Sequence, residues 1–199
     1  MHRPLMIAGL GYLVVCAVVA IRHEPKPQPT PQPTPSPAPQ LTPAVASFGG
    51  PAPQWFAAIK PFCNAVEVEV MQGRHPAPAT VEGQGYSAAC YALAGRIDSA
   101  RAVIDRLAQS DRAPAAGIVF NVGHPVADAG DDRSAGPIME LVLEYWPNQY
   151  MALYHAGMSE YALGQPSLAR QHLTSFLRYY HEDDGWTHNA RDVLARLSE

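Results

Sequence analysis

Histidines, clustered carboxylates and cysteines are the side chains here whose chemistry goes beyond packing. The chain has eight histidines. His172, His181 and His188 fall in its C-terminal part, but not one helical turn apart as two imidazoles sharing a metal on one helix face must be. They read as surface or loop histidines, and no metal is implied. Asp128, Asp131 and Asp132 surround Gly130 without the ligand spacing or closing glutamate of a calcium loop. Carboxylates there suit a turn between helices. Cys63 and Cys90 lie outside the apolar N-terminal segment that holds Cys16. In an oxidising compartment they could pair, closing a loop worth about 3 kcal/mol of chain entropy. The alternative is two buried thiols packed as small apolar groups. No motif fixes a histidine or carboxylate beside either one, so a catalytic thiol is not expected. Nor is there a nucleophile elbow, a phosphate loop, a dinucleotide fingerprint or a paired-histidine zinc helix. These residues point away from an enzyme and call for no cofactor.

The composition narrows the class further. The chain has 199 residues, a formal charge of −4, 47% hydrophobic and 16% charged residues. With no concentrated Lys/Arg to displace counterions, nucleic acid is not a partner to expect. Eleven of the 20 prolines fall between Pro25 and Pro53. That stretch cannot join a packed core, and the remainder suffices for one modest domain.

Residues 1–22 open with a short basic start, Met1-His2-Arg3, followed by eighteen uncharged residues from Pro4 to Ile21. This suits either a signal anchor that spans a membrane or a cleavable signal peptide, with small residues at Val18 and Ala20 for the cut. Either way the rest is expected outside the cytoplasm, membrane-anchored in the first case, in the periplasm or an equivalent space. Residues 23–53 follow as a disordered Pro-rich spacer. From Pro25 to Pro39 every second residue is proline, which fixes φ and bars its predecessor from helix. Over residues 25–53 such a rod reaches roughly 90 Å if straight. Period two is the wrong spacing for an SH3-type ligand, so the segment reads as a spacer holding a C-terminal domain off the membrane.

Beyond it, the sequence repeats itself. Gly123, Gly130 and Ala135 return as Gly157, Gly164 and Ala169, each 34 residues later, and Ala88, Gly95 and Ala100 form a weaker upstream copy offset by 35. The physical unit is helix–turn–helix. Leu153, Ala156, Gly157 and Tyr161 recur at helical period, Gly164 ends that helix, and Pro166 opens the next, which carries Ala169, Leu173, Phe176 and Leu177 on one face. Small residues at Gly157 and Ala169 permit a close crossing. Neither helix is long enough to stand alone, so neighbouring units must stack.

These positions resemble the tetratricopeptide repeat, whose landmarks are W-x2-L-G-x2-Y, then A-x3-F, then Pro. The middle copy offers Val119, Val122, Gly123, Val126, Ala135, Met139, Val142 and Pro147. The last offers Leu153, Ala156, Gly157, Glu160, Ala169, Leu173 and Phe176. Glu160 replaces an aromatic residue, and Pro125 should kink the first helix of the middle copy. The expected fold is all-α: an α-solenoid of about three repeats (81–115, 116–149, 150–183), a capping helix over 54–80 before them and another over 186–199 after them. Val66 to Val70 alternate like a strand, but a solenoid offers no sheet to join, so the segment is assigned to helix.

The resemblance implies a protein or peptide partner bound in the groove lined by first helices. It places Phe120, His124, Met151, Tyr154, Met158 and Tyr161 there, methionines beside aromatics that suit an apolar peptide or a partner helix. No basic pair recurs along the groove to grip an acidic peptide terminus. The alternative is a self-associating, membrane-anchored homo-oligomer whose repeats stack end to end.

Overall fold

The structure, a computed structural model, describes residues 50–198. The expected signal or anchor segment and nearly all of the spacer lie outside these residues. Among the described residues there are nine α-helices and one 3-10 turn, and no strand. Two short helices, α1 (Ala52–Ile59) and α2 (Val68–Arg74), come first. Three pairs follow: α3 (Val81–Leu93) with α4 (Ile97–Asp105), α5 (Gln109–Asp128) with α6 (Asp132–Tyr145), and α7 (Tyr150–Ala162) with α8 (Pro166–Tyr179). The last helix is α9 (Gly185–Arg196). Helices pack on their own partners and on the next pair, α3 on α5 and α6 on α7, the consecutive pairing of an α-solenoid. No described helix is long and apolar enough to cross a membrane.

The three turns within pairs are built alike, because the same residue type stands at the same place. Gly95, Gly130 and Gly164 take φ of +71°, +86° and +71°, a left-handed conformation that side chains oppose. Around each, two amides reach back to carbonyls of the preceding helix. Gly95 N donates to Ala92 O and Arg96 N to Tyr91 O; Gly130 N to Ala127 O and Asp131 N to Val126 O; Gly164 N to Tyr161 O and Gln165 N to Glu160 O. Each is a Schellman closure, which satisfies carbonyls that the helix end leaves orphaned. The following helices begin on side-chain caps where the sequence provides one: Asp131 for α6 and, at the far end, the reciprocal Asp184–Thr187 box for α9.

The pairs cross where side chains are missing. A Cβ on Gly123 would stand 2.8 Å from Ile138 Cγ2, and one on Gly157 2.7 Å from Leu173 Cγ. Between those crossings lies a continuous core that includes Val119, Met139, Leu141, Val142, Leu173 and Phe176.

Two boundaries differ from the sequence expectation. Residues 54–80 form two helices rather than one. Pro61 sits in the 3-10 turn Lys60–Phe62, and the Asn64 side chain then accepts from the amides of Val66 and Glu67, so that α2 starts only at Val68. The other difference is that the expected junction between residues 115 and 116 falls inside α5. Arg112 ties the first turns of that helix back to the carbonyls of Asp105 and Leu107, and the helix runs on through Pro114 and Pro125, which both lie on exposed positions.

A second, smaller cluster holds the N-terminal helices to the first pair. Trp55, Ile59 and Val68 are wholly buried against Cys90 and Ala94. Trp55 Nε1 donates to His75 O at 3.0 Å. Cys63 and Cys90 are joined by a disulfide, with Cα atoms 4.8 Å apart, between the end of the 3-10 turn and α3.

Candidate functional site

The six residues expected to line a partner groove divide in two. Phe120, Met151 and Tyr154 are buried, at 9%, 9% and 4% exposure, while His124, Met158 and Tyr161 are half-buried. Tyr154 is covered by α9: its ring meets Trp186 edge-on at 5.0 Å, and its hydroxyl accepts from Asn189 Nδ2 at 2.6 Å. Burial pushes that hydroxyl above its ordinary pKa, with the Asn189 bond opposing. In the last pair, then, the first-helix face carries the terminal helix of the same chain.

Toward the other end that face is open. A cleft of about 670 Å³ lies between α1, α3 and α5, lined by Phe56, Tyr86, Leu93, Ile118, Val122 and Val126, with polar groups from Lys60, Asn121 and Asp131. Phe56 stacks on Tyr86, ring centroids 4.7 Å apart, which fixes its floor. The α5 side is a second apolar stripe. Val119, Gly123 and Ala127 face the core, whereas Ile118, Val122 and Val126 stand one position earlier and remain half-buried. Their i, i+4, i+8 spacing is plain in the sequence. Its role as one side of a cleft escapes a reading based on repeat landmarks alone, because helix α1, which forms another wall, lies outside the repeats.

The structure also draws four ionisable side chains together where α5, the start of α6 and α7 meet. His155 is 1% exposed, and its Nδ1 lies 3.0 Å from Asp132 Oδ1. Its Nε2 faces Asp128 Oδ1 at 3.6 Å, and His124 Nε2 faces the same oxygen at 3.4 Å. Both distances exceed the normal range for an N–H···O bond, and both Nε2 atoms are buried without a hydrogen-bond partner. Phe120 stacks on the His124 ring and Trp186 closes over His155. Burial, ahead of the opposing pull of Asp128, lowers the His124 pKa. The i, i+4 spacing of His124 and Asp128 was visible in the sequence, but His155 comes from another repeat and only the fold delivers it.

Glu160, the residue in the aromatic slot, is 1% exposed. Both its oxygens lie 2.8 Å from Nδ1 of the half-buried His172, so a carboxyl hydrogen-bonded to an imidazole fills the place of a ring. His188, by contrast, is exposed and pairs with Asp183 at the surface.

Among known proteins, a family model described as the tetratricopeptide repeat matches residues 151–181. No curated protein and no solved structure matches the chain. The matched residues are α7, its glycine turn and α8, the pair in which Gly157 and Ala169 let the helices cross. Over residues 151–181 the chain is thus similar to the tetratricopeptide repeat, in the pair where the helical register was read from the sequence.

Proposed function

We propose that this protein is a non-enzymatic interaction scaffold that takes an apolar peptide or helix of a partner protein into the cleft between α1, α3 and α5, and that the proline spacer displays it from a membrane. Tetratricopeptide repeats are in general protein-interaction modules. The observation that carries the finer reading is the cleft itself: Ile118, Val122 and Val126 form a half-buried apolar row on a first helix, with no segment of the described chain laid over it. Half-buried aliphatic side chains on a rigid helix offer the i, i+4, i+8 anchors that helix-in-groove recognition uses. The uncharged run from Pro4 to Ile21 supports membrane attachment, and the Cys63–Cys90 disulfide supports export, since such bonds persist in oxidising compartments.

A photo-crosslinking amino acid at position 122 of the full-length protein tests this in its native membrane. The reading predicts one dominant adduct whose crosslinked peptide is apolar, and its loss when Val126→Glu is added to a chain that keeps its circular dichroism. Adducts made only of two copies of this chain would favour the self-associating oligomer. Adducts unaffected by Val126→Glu would remove the cleft as the binding surface.

A further inference from the structure

From the cluster at the meeting of α5, α6 and α7, we infer a binding site for a divalent transition metal of the zinc class, held by His124 Nε2, His155 Nε2 and Asp128 Oδ1, with Asp132 positioning His155. Two imidazole nitrogens and one carboxylate oxygen converge within 4.8 Å of one another. Tetrahedral coordination with bonds of about 2.0–2.1 Å puts neighbouring ligand atoms roughly 3.3 Å apart. The two nitrogens stand 3.4 and 3.6 Å from the shared Asp128 oxygen. A bound ion draws in the remaining separation through His124, the less buried ring.

The protonation pattern fits as well. Asp132 accepts from His155 Nδ1–H, which leaves the Nε2 lone pair directed at Asp128 and His124. A carboxylate behind a ligating histidine fixes the tautomer and the ring plane. A fully buried His155 whose second nitrogen has no partner is costly as it stands, and a metal ion satisfies that nitrogen and His124 Nε2 together. With neutral imidazoles, Asp128 and Asp132 supply two negative charges against a dication. The donor set selects the ion: imidazole nitrogen suits zinc, copper or nickel, whereas calcium and magnesium take oxygen. The aromatic groups of Phe120 and Trp186 shield the ring side. Asp128, 44% exposed, opens the other side to solvent and leaves a fourth coordination position there. Because His124 and Asp128 belong to α5 and His155 to α7, the ion clamps the first helices of two successive repeats.

The test uses full-length protein in detergent, without a polyhistidine tag and freed of metal by a chelator. Titration with Zn²⁺ by calorimetry should show one site per chain and a raised melting temperature, while Mg²⁺ and Ca²⁺ should leave the melting temperature unchanged. Co²⁺ should give the ligand-field absorption of a four-coordinate site. Asp128→Asn and His124→Ala, both at positions open enough to spare the fold, should each weaken Zn²⁺ binding at least tenfold, and Asp132→Asn should do so by roughly 10- to 100-fold. A His181→Ala/His188→Ala variant, changed at exposed histidines, should bind as the parent does. The inference is overturned if no single-site binding appears at about 10 µM Zn²⁺, or if Asp128→Asn and His124→Ala both bind as the parent does.

Discussion

Glu160 and His172 show how one side chain departs from a repeat pattern without breaking the fold. The slot calls for an apolar ring, yet a carboxylate fills it, and the nearby imidazole makes the burial tolerable. Removing the imidazole costs more than the bond itself contributes, since a buried carboxyl is left without its hydrogen-bond partner. His172→Ala should therefore destabilise the protein by about 1–3 kcal/mol in urea unfolding. Burial raises the Glu160 pKa, with the His172 bond opposing. The folded state thus holds that proton more tightly than the unfolded chain. Stability should fall as pH rises through the window just above the ordinary glutamate value, and Glu160→Gln should flatten the unfolding midpoint across it. Glycines divide at the same scale. A Cβ on Gly136 would lie 2.6 Å from Ser159 Cβ, so Gly136→Ala must push α6 from α7 at about 1–3 kcal/mol. Gly164 has open space around it but φ of +71°, so Gly164→Ala should cost only about 1 kcal/mol of backbone strain. Thermal melts of the two variants rank them.

At the scale of elements, α1 and α2 are too short to persist alone, and their order depends on attachment to α3. Trp55, Ile59 and Val68 supply the apolar part, and the Cys63–Cys90 bond the covalent part. Reduction, or a Cys63→Ser/Cys90→Ser variant, should lower stability by about 3 kcal/mol and raise hydrogen exchange in α1 and α2 before the helix pairs. Because α1 forms one wall of the cleft, the same change should weaken any partner bound there. Surface links between pairs weigh less. Arg101 grips Glu144 with two bonds of 2.8 and 2.7 Å, but Arg101 is only half-buried and Glu144 is exposed, and Glu144→Gln should shift stability by under about 1 kcal/mol.

Across the whole array, each pair leans mainly on its neighbours, so the ends carry disproportionate weight. The terminal helix α9 is where this is sharpest. It covers Tyr154, closes over His155 and caps itself with Asp184 and Thr187. Truncation after Asp183 should bare the aromatic cluster of Tyr154 and Phe176. The expected result is a loss of the sharp cooperative melt, with dye binding to exposed apolar surface, whereas truncation after Leu197, which keeps that half-buried side chain on the core, should leave the melt nearly unchanged. At the opposite end, α1 and α2 cover the first pair while leaving the cleft open, so the two ends differ in what they leave free for a partner.

The all-helical class and the period of the repeat were legible in the sequence, because glycine turns and small crossing residues are local requirements that recur with the unit. Gly95, Gly130 and Gly164 each act within a few residues of themselves, and no distant contact is needed to see them. The tertiary structure decided what faces what. Phe120, Met151 and Tyr154 share the first-helix register with His124, Met158 and Tyr161, yet packing of α9 and of neighbouring helices buries the former three. The cleft needs α1, which no repeat landmark marks. The histidine–aspartate cluster needs residues 124 and 155 from different repeats, and long-range packing alone sets their distance. Periodicity records which side of a helix is apolar; the identity of the element laid against it depends on the folded chain as a whole.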